Sequence, residues 1–144
     1  MQHAPALIDG SSEKRRSATD IRLTLPASAE NVVLVRHVVV AWAEVLGLPC
    51  RLVDDIKLAV TEACTNVVRH AYLDARGPLE VDVRPDAETL TVIVTDHGQG
   101  LRPNPGGGGA GFGLPLMAAL THGLEIEQAP GSGSCVRMSF RRAG

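Results

Sequence analysis

The run Leu90-Thr-Val-Ile-Val-Thr95 confines this chain more than any other stretch. It is apolar enough to lie at the centre of a sheet, and it stops abruptly at Asp96-His-Gly-Gln-Gly100. A central strand needs neighbours and an apolar cover, and the flanking sequence offers both. Leu79–Arg84 lies just upstream, joined through Pro85-Asp-Ala-Glu-Thr89, which reads as a hairpin turn. Ile21-Arg-Leu-Thr-Leu25 alternates apolar and polar residues as a half-buried strand does; Pro26-Ala-Ser28 stops it, with Ser28 suited to cap a helix.

Residues 29–46 are expected to be helical, with Val33, His37, Val40 and Ala41 towards one face and Gly47-Leu-Pro49 as the stop. A second helix is expected from about Leu52 to Tyr72. Its apolar positions Leu52, Ile56, Ala59, Ala63 and Val67 recur at spacings of three and four, as an amphipathic stripe requires. Beyond the break Asp74–Pro78 and the hairpin, a third helix should cover Leu114–Thr121. Two last strands, Leu124–Gln128 and Ser134–Arg141, flank the turn Pro130-Gly-Ser-Gly133. The order β-α-α-β-β-α-β-β predicts an α+β two-layer sandwich, a mixed sheet with its helices on one face. Residues 1–19 lack periodicity and read as a flexible tail ahead of one domain over 20–144.

Composition closes off several function classes. A length of 144 residues suffices for one core and not for two. With 3% aromatic residues, that core must be built from Val, Leu, Ile and Ala. Fourteen basic residues stand against 16 acidic ones, a net charge of −2, with no basic cluster beyond Lys14–Arg16. A nucleic-acid surface needs concentrated positive charge, so no nucleic-acid partner is expected. Cys50, Cys64 and Cys135 form no C-x-x-C pair, which suggests buried thiols in a reducing cytoplasm and neither a zinc site nor a disulfide framework. No apolar run approaches the ~20 residues that cross a bilayer, so a cytoplasmic protein without a membrane partner is expected.

Three constellations could carry chemistry. Glu62, Asn66 and His70 lie four residues apart on the second helix and project from one face. A carboxylate, an amide and an imidazole in line suit a cation, a water or a phosphate; a solvated polar helix face is the plainer reading. Asp96-x-Gly98-x-Gly100 follows the apolar strand. An Asp there can accept hydrogen bonds from a buried amino group, and the glycines let backbone approach a planar ring; an ordinary Asp-x-Gly turn has the same letters. Gly106-Gly-Gly-Gly-Ala-Gly-Phe-Gly113-Leu114 leaves its amides unshielded and leads into a helix N-terminus, a natural anion site. Pro115 fits that helix's first turn. The string G-x-G-x-x-G at Gly106–Gly111 follows Pro-Asn-Pro and not a strand, and no Gly-Lys-Ser/Thr is present, so neither the dinucleotide fingerprint nor the Walker pattern is met.

The order of these signals adds to them. Glu62-x-x-x-Asn66, then Asp96-x-Gly-x-Gly100, then Gly111-Phe-Gly-Leu114 resembles the boxes of the GHKL ATPase/kinase superfamily. Thr61-Glu-Ala-Cys-Thr-Asn-Val-Val-Arg-His-Ala-Tyr72, preceded by Asp55-Ile-Lys57, resembles the anti-sigma factor serine/threonine kinases more narrowly. The resemblance covers about residues 21–141 and implies a Bergerat-type ATP-binding fold. It implies ATP with Mg²⁺ as cofactors, Asn66 as metal ligand and Glu62 as general base. It implies Asp96 on the adenine amino group, Gly98 and Gly100 shaping that pocket, and Ser134 near the adenine. Gly108, Gly109, Ala110, Gly111, Phe112, Gly113 and Leu114 would belong to a lid over the phosphates. His70 is a motif position suited either to ligand contact or to the helix end. Similar proteins bind a sigma factor and phosphorylate a serine on a small anti-anti-sigma antagonist, usually as homodimers. One departure stands out: no Lys or Arg lies between Pro103 and Gly113 to meet phosphate charge, Arg102 being the nearest. A non-catalytic, ATP-ordered partner switch is therefore a competing reading. A detached ATP-binding domain of a histidine kinase is another, although His37, its only candidate on the first helix, lacks the adjacent acidic residue.

Overall fold

The chain turns back on itself through two tight hairpins and two helical crossovers. The computed structural model describes residues 19–72, 77–99, 113–129 and 132–143. Residues 1–18 of the tail expected over 1–19, and residues 100–112 with most of the glycine-rich stretch, lie outside the described residues. Strand β1 spans Ile21–Pro26, helix α1 Ala29–Val45 and helix α2 Cys50–Asn66, which runs on into a wider π-turn, Val67–Ala71. Then follow β2 (Pro78–Pro85), β3 (Thr89–Asp96), α3 (Gly113–Leu120), β4 (Gly123–Ala129) and β5 (Gly133–Arg141). The element order is the one the periodicities predict.

Local chemistry explains the boundaries. Ser28 Oγ accepts from Asn31 N at 3.2 Å and so caps α1, as expected of it. Asp86 Oδ1 accepts from the backbone N–H groups of Glu88 and Thr89 at 2.8 and 2.9 Å, which folds the β2–β3 connection into a tight turn.

The five strands pair in the order β1-β2-β3-β5-β4, and β3 is central. Every pairing is antiparallel, so the expected mixed sheet is corrected to an antiparallel one. The helical crossover from β3 to β4 does leave those two strands pointing the same way. They are not neighbours, because β5 folds back between them and pairs with both. The α1–α2 hairpin likewise returns the chain so that β2 runs against β1.

One sheet face is packed and the other is polar. Leu79, Val81, Val83, Leu90, Val92, Val94, Val136, Met138 and Phe140 point into the helix layer and are fully or nearly fully buried. Burying each side chain of this size contributes about 1.5–3 kcal/mol. Glu80, Asp82, Arg84 and Arg137 occupy the opposite face, where Arg22 pairs with Asp82 at 2.7 Å. On α2 the expected stripe packs inward at Ile56, Ala59, Ala63 and Val67, with Leu52 half-buried. On α1 the expected face is mostly wrong: Val32, Val35, Val39 and Ala43 are buried, whereas Val33 is 40% exposed, His37 and Ala41 are exposed, and of the four expected residues Val40 alone packs, half-buried, against the core. That helix is apolar almost all round, so spacing alone could not select which side meets α2 and the sheet.

Candidate functional site

The C-terminal end of α2 lies over the end of the central strand, and a pocket forms between them. Ala63, Asn66, Val67 and Ala71 line it from the helix and π-turn, Asp96 from β3, and Ser134 and Val136 from β5. The strand register explains the polar pair, because Asp96 stands directly opposite Ser134. Ser134 Oγ donates to Asp96 Oδ2 at 2.6 Å, and Gly98 N donates to Oδ1 at 2.9 Å. Asp96 is only 2% exposed. A carboxylate holds about four acceptor sites, and two neutral donors leave it able to accept again inside an apolar pocket. The remaining walls, Ala63, Val67, Ala71 and Val136, are aliphatic. Two of them, Ala63 and Val67, belong to the helix stripe that periodicity alone assigns to the core.

The other polar group is the Asn66 amide, 6% exposed. It faces the start of α3 so closely that a Cβ on Gly113 would sit 2.9 Å from Asn66 Nδ2. A side chain at 113 would therefore force the Asn66 amide to shift. Pro115 lies in the first turn of α3, where its missing N–H is no loss. Leu114 packs, half-buried, against the core.

The remaining expected residues are spread around this centre. Glu62 lies one helical turn before Asn66, half-buried, outside the pocket lining and without an ion pair or hydrogen bond among the described residues. His70 lies in the π-turn, and its Nε2 is buried with no hydrogen-bond partner among the described residues. Gly98 packs onto the π-turn, where a Cβ would overlap the Ala71 carbonyl oxygen. Gly100, Gly108, Gly109, Ala110, Gly111 and Phe112 lie outside the described residues. Two contributors went unassigned from sequence. Tyr72 OH donates to Pro78 O at 2.6 Å and accepts from His97 N at 2.9 Å, and burial raises its pKa. Gln99 bonds the two carbonyls that end the π-turn.

Residues 25–140 match the family described as the histidine kinase-like ATPase domain. The chain belongs to the histidine kinase-like ATPase family. It is 35% identical over 126 residues to a serine-protein kinase RsbW of Halalkalibacterium halodurans, covering 77% of each chain. An anti-sigma F factor of Thermoanaerobacter sp. is 29% identical over 130 residues, covering 83% of this chain and 91% of that one. Among solved structures, the RsbU and RsbW domains of a Mycobacterium tuberculosis protein superpose with a TM-score of 0.69 at 22% identity. That likeness is one of fold; it takes in 85% of this ATPase domain and 32% of the longer chain.

Membership in this family carries ATP binding, and the pocket's donor set fits it. A buried acceptor carboxylate and a hydroxyl between aliphatic walls suit adenine, and the Asn66 amide suits the polar end of a nucleotide. No group of three or more His, Cys, Asp or Glu that could hold a metal occurs among the described residues. One amide oxygen is still compatible with Mg²⁺, which keeps several waters and takes its other ligands from phosphates. No helix among the described residues is long and apolar enough to cross a membrane.

Proposed function

We propose that this ATPase domain is a protein-serine/threonine kinase and anti-sigma regulator, which phosphorylates a small anti-anti-sigma protein and binds a sigma factor as a homodimer. The observation that carries the reading is the shared pocket of Asn66, Asp96 and Ser134 in a chain whose relatives are named serine-protein kinase and anti-sigma factor. When bound, Mg-ATP supplies the phosphoryl group and neutralises part of its charge.

The chain's own residues divide the remaining work. Asp96, braced by Ser134 Oγ and Gly98 N, accepts from the exocyclic amino group of adenine and so selects that base. Asn66 would hold the magnesium ion through its amide oxygen. His70 turns its free ring nitrogen towards the phosphates. Glu62, one turn before Asn66, takes the proton from the incoming serine hydroxyl as general base. Gly98 and Gly113 let backbone come close to Ala71 and to Asn66 respectively.

Incubation with labelled ATP and a candidate antagonist protein tests the reading. Glu62→Ala should lower transfer by about 10²–10⁴-fold, the usual worth of a positioned base, with ATP affinity kept. Equal transfer by the variant would refute the assignment of Glu62. A second reading, an ATP-ordered partner switch without transfer, is favoured by one feature: residues 103–113 hold no Lys or Arg to stabilise phosphate charge. ATP-dependent sigma binding with no labelled antagonist would select it.

A further inference from the structure

The end of the π-turn and the loop after β3 are tied together at three successive points. Gln99 Nε2 donates to His70 O at 2.6 Å, and Gln99 N donates to Ala71 O at 2.9 Å. His97 N donates to the Tyr72 hydroxyl at 2.9 Å. Gly98, between them, packs on Ala71 O with no room for a side chain. A helix end leaves its last carbonyls unbonded, and they are normally satisfied by residues just beyond it or by water. Here they are satisfied by a distant loop, and one residue, Gln99, supplies both donors.

The position of that clamp matters. Its loop side begins at Gly98, whose N–H holds Asp96 Oδ1. Its helix side is the turn that carries His70 and follows directly on Asn66. The π-turn is wider than an α-turn and depends on tertiary contacts to persist. It carries His70, whose Nε2 is buried and unpartnered among the described residues.

We propose that Gln99 is a positioning residue for the phosphate end of the nucleotide. By holding the His70 and Ala71 carbonyls, it keeps Asn66 and His70 at a fixed distance from Asp96, so that one ligand is gripped at its base and its phosphates together. This inference rests on the nucleotide reading above, and the test separates the two.

The test compares wild type with Gln99→Met, which keeps the shape and removes the side-chain donor, and with Gln99→Glu, which sets an oxygen against the His70 carbonyl. Without nucleotide, hydrogen exchange at residues 67–72 should quicken about tenfold in both variants, as for one lost hydrogen bond, while exchange in α2 before Ala63 stays unchanged. By calorimetry with magnesium, ATP affinity should fall about tenfold and adenosine affinity less than about twofold. Unchanged exchange at 67–72 overturns the clamp. Faster exchange with equal losses for ATP and adenosine overturns the positioning role and leaves a structural one. Should wild type take up neither nucleotide nor nucleoside, the nucleotide reading fails and the positioning role with it, while the exchange result still reports on the clamp.

Discussion

Replacing Asp96 with Asn changes one acceptor atom into a donor at the most buried polar position of the pocket. The folded protein should tolerate it. Asn Oδ1 can keep the Gly98 N–H, and Nδ2 can donate to Ser134 Oγ, which rotates to accept; both bonds to Asp96, at 2.9 and 2.6 Å, thus have a neutral successor. Loss of their charge-assisted character costs about 1 kcal/mol, or roughly 2–4 °C in melting temperature for a domain of this size. Adenine fares worse. Its amino group loses a bond to a charged acceptor, worth about 1.5–3 kcal/mol, and then meets an N–H that leaves both donors unsatisfied at a cost of about 1–3 kcal/mol. A total near 3 kcal/mol lowers ATP affinity about a hundredfold. Guanine carries a carbonyl at the same ring position, so GTP affinity should hold or rise. Calorimetry with both nucleotides reads the effect, and the melting curve controls for folding. Unchanged ATP affinity in a folded D96N protein would refute the argument, because it would mean that the base does not contact this carboxylate.

Two further outcomes follow from packing. Gly98→Ala sets a Cβ against Ala71 O and must break the loop's bonds to the π-turn; it should lower stability by about 2–4 kcal/mol in urea titration, from two lost hydrogen bonds and backbone strain. Cys64 is fully buried, and burial lifts its thiol pKa from 9.0 to about 12, so thiol reagents should label exposed Cys50 and reach Cys64 only on unfolding. Between those two values the unfolded chain releases a proton that the folded one keeps, so stability falls as pH rises above 9.0. Unfolding free energies from urea titrations between pH 8 and 10.5 should therefore decline less in Cys64→Ala than in wild type, the difference in slope approaching about 1.4 kcal/mol per pH unit above pH 9.0.

Legibility in the sequence followed the range of each signal. Elements set by local pattern, such as β3 with its apolar run or α1 with its Ser28 cap, appear where periodicity puts them. The buried face of α1 did not, because Val32, Val33, Val35, Val38 and Val39 offer apolar residues in every direction. The antiparallel sheet was hidden for a different reason: insertion of β5 between β3 and β4 is a long-range choice that no short stretch encodes. At the site, Asp96 could be singled out because it ends an apolar strand, and Asn66 because it shares a helix face with Glu62 and His70, whereas Ser134 came only from the family resemblance. Gln99 could not, since its partners are main-chain carbonyls, which every residue has. The walls Ala63 and Val67 looked like core because they are core on one side and pocket on the other.

The central claim is that one pocket grips base, phosphates and magnesium, with Asn66 as the protein's hold on the metal. Titrating ATP into wild type and into Asn66→Ala, each with magnesium and with chelator, tests it most directly. Wild type should bind one ATP per chain, at least tenfold tighter with magnesium, and the variant should bind with little magnesium dependence. No ATP uptake by wild type in magnesium, or full magnesium dependence retained without the Asn66 amide, would contradict the account.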